Sequence, residues 1–388
     1  MEVSKIVNSQ SIVPSERIEL VHSGEDYFAR LEDIILKAQR EIHFQTYIFK
    51  NDATGKKIAA ALKEAASRKV RVYLLPDAYG SSSLPDEFIA DLIQHGIDFR
   101  FFAPFFSNNS FYLGRRLHHK VVVVDGSVAL IGGINISDKY RGTKTKEPWL
   151  DYAVQVEGKL SEQLRELCRA IYFRKYSRPR KRIKFTFHQI GDATAHFLQN
   201  DWLERRSQVF NAYIKSIRNS KQQVTIVASY FLPGRKLTKA LKKASLSGVK
   251  TKMILSGISD IPLIRRAAYY VYTSLLDHNI ELYEWSKSIL HGKATVVDDE
   301  WTTIGSFNLN QLSAYGSIEL NLEIRSKAFS QSFAVHLETI IAQCERVTPE
   351  TQKARSGIWS TFINWVSYHL VRIGLSIVTY IPYKRYFQ

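Results

Sequence analysis

One sparse pattern is written twice in this chain of 388 residues: His118-x-Lys120-x4-Asp125-x6-Gly132-Gly133-x-Asn135, then His291-x-Lys293-x4-Asp298-x6-Gly305-Ser306-x-Asn308. The six aligned positions share a single offset of 173 residues, which chance does not readily supply, so an internal duplication is the leading explanation. A chain made of two copies of one unit folds as two related lobes. The length has room for two lobes of ordinary size and a tail.

The repeat reaches beyond the motif. Residues 25–77 read as an amphipathic helix through Tyr27, Leu31, Ile34 and Ile35, a strand over 41–49, a helix over 58–66 and a buried strand over 70–75. Residues 208–257 follow the same order, with a helix through Tyr213 and Ile217, a strand over 223–231, a helix over 237–244 and a strand over 249–255. Alternation of this kind predicts an α/β fold: two similar lobes, each a mixed sheet flanked by helices. The boundaries are set at 15–172 for the first lobe, 173–204 for a basic linker, 205–345 for the second lobe and 346–388 for a tail. Each motif lies in a strand, turn and strand, with apolar runs at 121–124 and 294–297 ending in Asp. Residues two apart on a strand share a face, so each His points the same way as its Lys.

Lys and Arg total 54 against 37 Asp and Glu, a net charge of +17, so a polyanion is expected as partner: an anionic membrane surface or a nucleic acid. Seven basic residues crowd residues 174–184, read either as a solvated linker or as a headgroup or nucleic-acid contact. Cys168 and Cys344 sit in helix-like apolar stretches and read as buried small hydrophobes, so a reducing compartment is expected. The first twenty residues hold no apolar core of a leader, and the expectation is a chain kept in the cytosol.

Two His-Lys pairs suit phosphodiester chemistry, which needs a nucleophile, a proton donor for the departing alkoxide and positive charge on the non-bridging oxygens. One imidazole attacks phosphorus and the other protonates the leaving oxygen and later activates the incoming alcohol. Lys120 and Lys293 with Asn135 and Asn308 would hold the phosphate, while Gly133 and Ser306 let backbone or a hydroxyl come close. The lysines stand where a cation would otherwise balance charge and no Cys/His or dense carboxylate array flanks the motifs, so neither metal nor cofactor is expected. An attacking His needs an acceptor on its far nitrogen; Asp151 and Glu319 are the candidates, with their pairing left open. Asp125 and Asp298 either act directly or only shape their turns.

The doubled His-x-Lys-x4-Asp resembles the phospholipase D superfamily over about residues 15–345. Within it the chain is most similar to bacterial cardiolipin synthases of the class without N-terminal membrane helices. Gln45-Thr-Tyr-Ile-Phe, Asp77-Ala-Tyr-Gly-Ser, Asp151-Tyr-Ala-Val-Gln-Val-Glu-Gly, Tyr230-Phe-Leu-Pro-Gly and Ser259-Asp-Ile-Pro add to the likeness. The resemblance implies a site at the interface of two lobes, His118 as nucleophile, His291 as acid and base, and transfer of a phosphatidyl group from phosphatidylglycerol. Two departures stand out: the usual Leu-Asp-x-x-Ser is Leu309-Asn310-Gln311-Leu312-Ser313, and Asn-x-Glu is Ser317-Ile318-Glu319. A hydrolase or nuclease of the same superfamily is the alternative, and a non-enzymatic lipid-binding scaffold is a third reading that two intact motifs oppose.

Residues 358–381 are the most apolar segment and long enough to span a bilayer. Ser360, Asn364, Ser367, Tyr368, Arg372, Ser376 and Thr379 nevertheless gather on one helical face opposite Trp359, Phe362, Ile363, Val366, Leu370, Ile373, Ile377 and Ile381. That stripe predicts a helix lying in the interface at the cytoplasmic face of the cell membrane, as a peripheral or anchored element, rather than one closing over the enzyme's own core.

Overall fold

The computed structural model describes residues 16–380 except 105, 108–109, 112–114, 174–184, 202–205, 311–312, 314–315 and 356. The first half runs β1 (Ile18–His22), α1 (Glu25–Leu36), β2 (Glu41–Thr46), α2 (Ala53–Ser67), β3 (Arg71–Pro76), α3 (Asp86–Gln94), β4 (Asp98–Phe99), the short β5 (Phe106–Ser107) and β6 (Ser110–Phe111), then β7 (Arg116–Leu117), β8 (Lys120–Val124), β9 (Val128–Gly132), α4 (Asp138–Arg141), β10 (Tyr152–Glu157) and α5 (Lys159–Tyr172). The second runs β11 (His188–Ile190), β12 (Ala193–Asp201), β13 (Arg206–Ser207), α6 (Gln208–Asn219), β14 (Gln223–Ala228), α7 (Arg235–Leu246), β15 (Lys250–Ser256), α8 (Pro262–Leu276), β16 (Glu281–Trp285), β17 (Lys293–Val297), β18 (Trp301–Gly305), β19 (Ser317–Arg325), α9 (Lys327–Ile341) and β20 (Glu345–Val347). Two helices follow, α10 (Pro349–Arg355) and α11 (Ile358–Tyr380).

Each half builds one mixed sheet. The first has the order β1-β10-β9-β8-β2-β3-β4 and the second β11-β12-β19-β18-β17-β14-β15-β16-β20. Helical crossovers make β2, β3 and β4 parallel, as they do β14, β15 and β16, while tight turns make β8–β9 and β17–β18 antiparallel. Three apolar clusters order the layers. One lies between the first sheet and α1, α2 and α3, and another between the second sheet and α6, α7 and α8. The third joins the lobes, with Val121, Ile131 and Val154 of one sheet, Val296, Ile304 and Leu320 of the other, and Leu164 of α5 and Phe333 of α9 in a single buried group. A continuous apolar core of this kind holds the lobes as one body.

The structure moves several expected boundaries. Strands β2 and β14 end three residues earlier than their apolar runs, because the chain there turns into the interface. Residues 188–201, assigned to the linker, form β11 and β12, and β12 pairs with β19 inside the second sheet. Its side chains alternate and Ala195, Phe197 and Leu198 are buried, so the second lobe begins well before 205. The basic run 174–184 and residues 1–15 of the stretch read for a leader lie outside the described residues. β20 pairs with β16, which carries the second lobe to Val347.

α11 packs along α8 with its polar side inward. Asn364 and Ser367 are buried, whereas Trp359 is 78% exposed and Phe362, Ile363, Leu370 and Ile373 are also exposed. The apolar stripe therefore faces away from the protein rather than closing its core. Among the described residues no helix is long and apolar enough to cross a membrane.

Candidate active site

Strand exchange between the lobes builds the site. β7, the approach to the first motif, leaves its own sheet and pairs in parallel with the start of β19. The backbone N–H groups of His118 and His119 donate to the Ile318 carbonyl at 3.0 and 3.1 Å. The second half mirrors this, with His291 and Gly292 donating to the Leu150 carbonyl at 2.8 and 2.9 Å. Ile318 precedes Glu319 and Leu150 precedes Asp151, so each His is fixed beside the carboxylate of the other lobe.

The side chains complete the crossing. His118 Nδ1 donates to Glu319 Oε2 at 2.9 Å, and His291 Nδ1 donates to Asp151 Oδ2 at 2.6 Å. Both carboxylates are fully buried. With Nδ1 committed as donor, each ring carries its reactive lone pair on Nε2, and neither Nε2 has a partner among the described residues. Lys120 and Lys293 arch back onto the carbonyls of His118 and His291, and Lys293 Nζ also lies 2.8 Å from His291 Nδ1. Both lysines are buried.

Burial is the largest influence on all four cationic groups. It lowers His118, helped by Lys120 and Lys293 and opposed by Glu319. It brings His291 down to about 3, with Lys293 adding to the shift and Asp151 opposing it. Burial and the like charge of Lys293 bring Lys120 to about 7, and burial brings Lys293 to about 8. Burial alone would raise Asp151, but Lys293, His291 and its hydrogen bonds hold it below the usual carboxylate range. Lys293 acts on Lys120 and His118, and Lys120 on His291, so the two half-sites lie within electrostatic reach of each other. A pocket with two crowded, desolvated ammonium groups favours entry of an anion.

Gly133 and Ser306 take a different place from the one expected, and Asp125 and Asp298 follow the second of their two readings. Asp125 and Asp298 sit at the far ends of β8 and β17, five residues from the lysines, roughly 16 Å along an extended strand. Asp125 accepts from the backbone N–H groups of Gln39, Arg40 and Glu41 at 2.7 to 2.9 Å, and Asp298 from those of Lys221, Gln222 and Gln223 at 2.8 to 2.9 Å. They staple each hairpin to the start of the neighbouring strand and do not reach the imidazoles. Gly133 and Ser306 face the carboxylates rather than open space. A Cβ at Gly133 would stand 2.4 Å from Asp151 Oδ1, and Ser306 Oγ donates to Glu319 Oε2 at 2.6 Å.

Asn135 accepts from the Ile48 N–H at 3.0 Å and donates to the Tyr140 hydroxyl at 2.8 Å, while Asn308 Oδ1 accepts from Ser229 Oγ at 3.1 Å. Asn310, at the departure from the usual Asp, accepts from the Ser313 N–H at 2.9 Å, so it still closes the turn. Four aromatic rings missing from the sequence reading line the pocket. Tyr47 lies 4.9 Å from His118 and 5.2 Å from Lys120 Nζ, and Tyr140, Trp149 and Tyr230 lie 5.1, 5.9 and 6.2 Å from His291. Tyr47 and Tyr230 stood at the ends of the two repeated strands, in phrases noted only as likeness. Among the described residues no group of three or more His, Cys, Asp and Glu could hold a metal ion.

The family model described as "Cardiolipin synthase, PLD-like domain" matches residues 31–158 and again 213–341. The chain belongs to this family. It is accordingly an enzyme of the phospholipase D superfamily, of the phosphatidyltransferase class. Cardiolipin synthase B of Escherichia coli (strain K12) is similar at 33% identity, over 94% of this chain and 90% of that protein. The minor cardiolipin synthase of Bacillus subtilis is similar at 29% identity, over 87% and 85%. The fold of this family member is also that of a phosphatidylserine synthase from Haemophilus influenzae, with a TM-score of 0.74 at 15% identity over 94% of this chain and 95% of that one.

Proposed function

We propose that the chain makes cardiolipin by moving a phosphatidyl group from one phosphatidylglycerol to another, releasing glycerol, through a phosphohistidine and without metal or cofactor. The crossed pairs His118–Glu319 and His291–Asp151 carry this reading, because they supply two oriented imidazoles, one per lobe, around one cationic pocket. His118 Nε2 attacks phosphorus, forming the P–N bond as the bond to the departing glycerol oxygen breaks. That oxygen takes the Nε2 proton of His291. His291 then accepts the hydroxyl proton of the second phosphatidylglycerol, whose oxygen attacks phosphorus and frees His118. Burial lowers His291 most and the Lys293 charge adds to it; the anionic phosphodiester offsets that charge, so the acid gains its proton as the lipid enters, and Asp151 stabilises the imidazolium. Lys120, Lys293, Asn135 and Asn308 hold the non-bridging oxygens.

The enzyme works at the cytoplasmic face of the cell membrane, held there through residues 358–381; the outward apolar face of α11 supports this. Purified protein incubated with phosphatidylglycerol vesicles is expected to form cardiolipin and glycerol in equal amounts, rapid quenching to trap an acid-labile phosphoenzyme on His118, and His291→Ala to lose both the phosphoenzyme and the product. Phosphatidic acid as sole product would favour a hydrolase, and cleavage of single-stranded DNA a nuclease. Chelator is expected to leave turnover in place; loss restored by a divalent ion would overturn the metal-free step.

A further inference from the structure

The turn between β15 and α8 and the start of α8 expose three large aliphatic side chains within six residues: Ile258 at 42%, Ile261 at 41% and Leu263 at 43%. Single exposed aliphatics are ordinary, but a cluster beside a catalytic pocket is not. Asp260, at the middle of this turn, accepts from the Tyr230 hydroxyl at 2.8 Å, and the Tyr230 ring lies 6.2 Å from His291. The cluster therefore stands on the rim of the pocket.

Two serines of the turn pair part of its backbone. Ser256 Oγ donates to the Ile258 carbonyl, Ser259 Oγ donates to the Ile261 carbonyl at 3.1 Å, and the Ile261 N–H donates to Ser259 Oγ at 3.1 Å. Each of these bonds lowers the cost of bringing its polar group into a poorly hydrated surrounding. Pro262 opens α8 without an N–H to satisfy, and exposed Arg266 one turn on offers a cation at headgroup height. α8 continues to Tyr270, which touches Tyr368 and His369 of α11 at 4.7 and 6.1 Å. Nine residues of helix separate Ile261 from Tyr270, about 14 Å, so the rim stands at one end of the helix along which α11 packs.

We propose that Ile258, Ile261 and Leu263 form a membrane-entering rim that, with the apolar face of α11, seats the pocket mouth against an anionic phospholipid bilayer. This rests on the proposed action on membrane phospholipid. The tail alone, packed along α8, would tether the enzyme and leave only rotation about the tail's own axis unset. The rim fixes that rotation, so a lipid phosphate reaches the imidazoles while its acyl chains stay in the bilayer. Arg266 and the net charge of +17 fit an anionic surface.

The test compares the full chain with Ile258→Asp/Leu263→Asp and with Trp359→Asp/Phe362→Asp. Phosphatidylglycerol is presented in phosphatidylcholine vesicles or as a short-chain form dissolved as monomers. The rim variant is expected to turn over vesicle lipid about tenfold more slowly and the dissolved form at the unaltered rate; the tail variant is expected to lose vesicle flotation. Equal loss on both substrates, or no loss on vesicles, overturns the rim. A polarity-sensitive dye on Ile261→Cys, in a Cys344→Ser background, gives a readout independent of turnover. A blue shift on anionic vesicles supports the rim even if the proposed transfer reaction is wrong. No shift on vesicles, or a shift only on self-association, overturns it, the latter by assigning the surface to a second copy of the chain.

Discussion

Four carboxylates attend the two motifs, and their hydrogen-bond partners divide them into two jobs. Asp125 and Asp298 each gather three backbone N–H groups, while Asp151 and Glu319 each hold one imidazole. Asp298→Ala is expected to lower stability by about 2–4 kcal/mol by leaving three donors without their acceptor, with kcat per folded molecule little changed. Asp151→Asn should do the reverse, cutting kcat by about 10²- to 10⁴-fold because an amide holds the wrong tautomer and cannot stabilise an imidazolium. Denaturant melts and initial rates on both variants check this; a stable but inactive Asp298→Ala would return that residue to the reacting groups. Lys120 poses a different balance. Below about pH 7 it is charged in both folded and unfolded protein, and the folded state bears the full cost of desolvation. Above about 7 the folded protein sheds the proton first, and the cost fades towards its ordinary pKa of about 10.4. Lys120→Met is therefore expected to abolish turnover yet raise the melting temperature by about 2–5 °C at pH 6, with the gain shrinking by pH 9. A gain that grows with pH would contradict the burial argument. The motif letters displayed the imidazoles and ammonium groups plainly. They could not display Tyr47, Tyr140, Trp149 and Tyr230, because an isolated aromatic residue reads the same whether it fills a core or stands beside a reacting group.

At the scale of elements, the repeat declared that two strand–turn–strand units exist but not which faces which. A fixed offset of 173 is satisfied equally by lobes that use their own carboxylates and by lobes that trade them. The trade becomes visible only through β7 on β19 and Leu150 on Leu290, contacts between residues far apart in sequence. β12 was missed for a related reason: its residues His196, Gln199 and Asn200 dilute the apolar alternation that marks a strand, and pairing with β19 overrides that weak local signal. The two faces of α11 were legible by periodicity and its apolar face was expected to point away from the core, but its seat along α8 was not, since amphipathicity does not name the element on which a face rests. The glycines at the ends of β9 show how tightly these elements close. Gly133→Ala would press a methyl into the Asp151 carboxylate, so it is expected to lower kcat about 10-fold or more by moving His291's partner, and to cost about 1–3 kcal/mol. Retention of both rate and stability in activity assays and denaturant melts would show that the carboxylate has room that the structure does not give it.

For the whole molecule, crossing makes each lobe an incomplete enzyme. The first half supplies His118 without Glu319 and Asp151 without His291; the second supplies the complements. The central apolar cluster is likewise shared, with Val154 and Leu164 on one side and Ile304, Leu320 and Phe333 on the other. A separated half would leave that surface in water, and recombining the halves removes it again. Cutting the gene within residues 174–184 is therefore expected to give two pieces that neither make cardiolipin nor form a phosphoenzyme alone, and that regain both on co-expression. Pairing a His118→Ala first half with an intact second half should stay inactive, as should an intact first half with a Glu319→Gln second half, because the two substitutions fall on opposite pieces but strike the same hydrogen bond. Turnover by either half on its own would mean that each lobe carries a working carboxylate for its own His, and the crossed arrangement would then be incidental to catalysis.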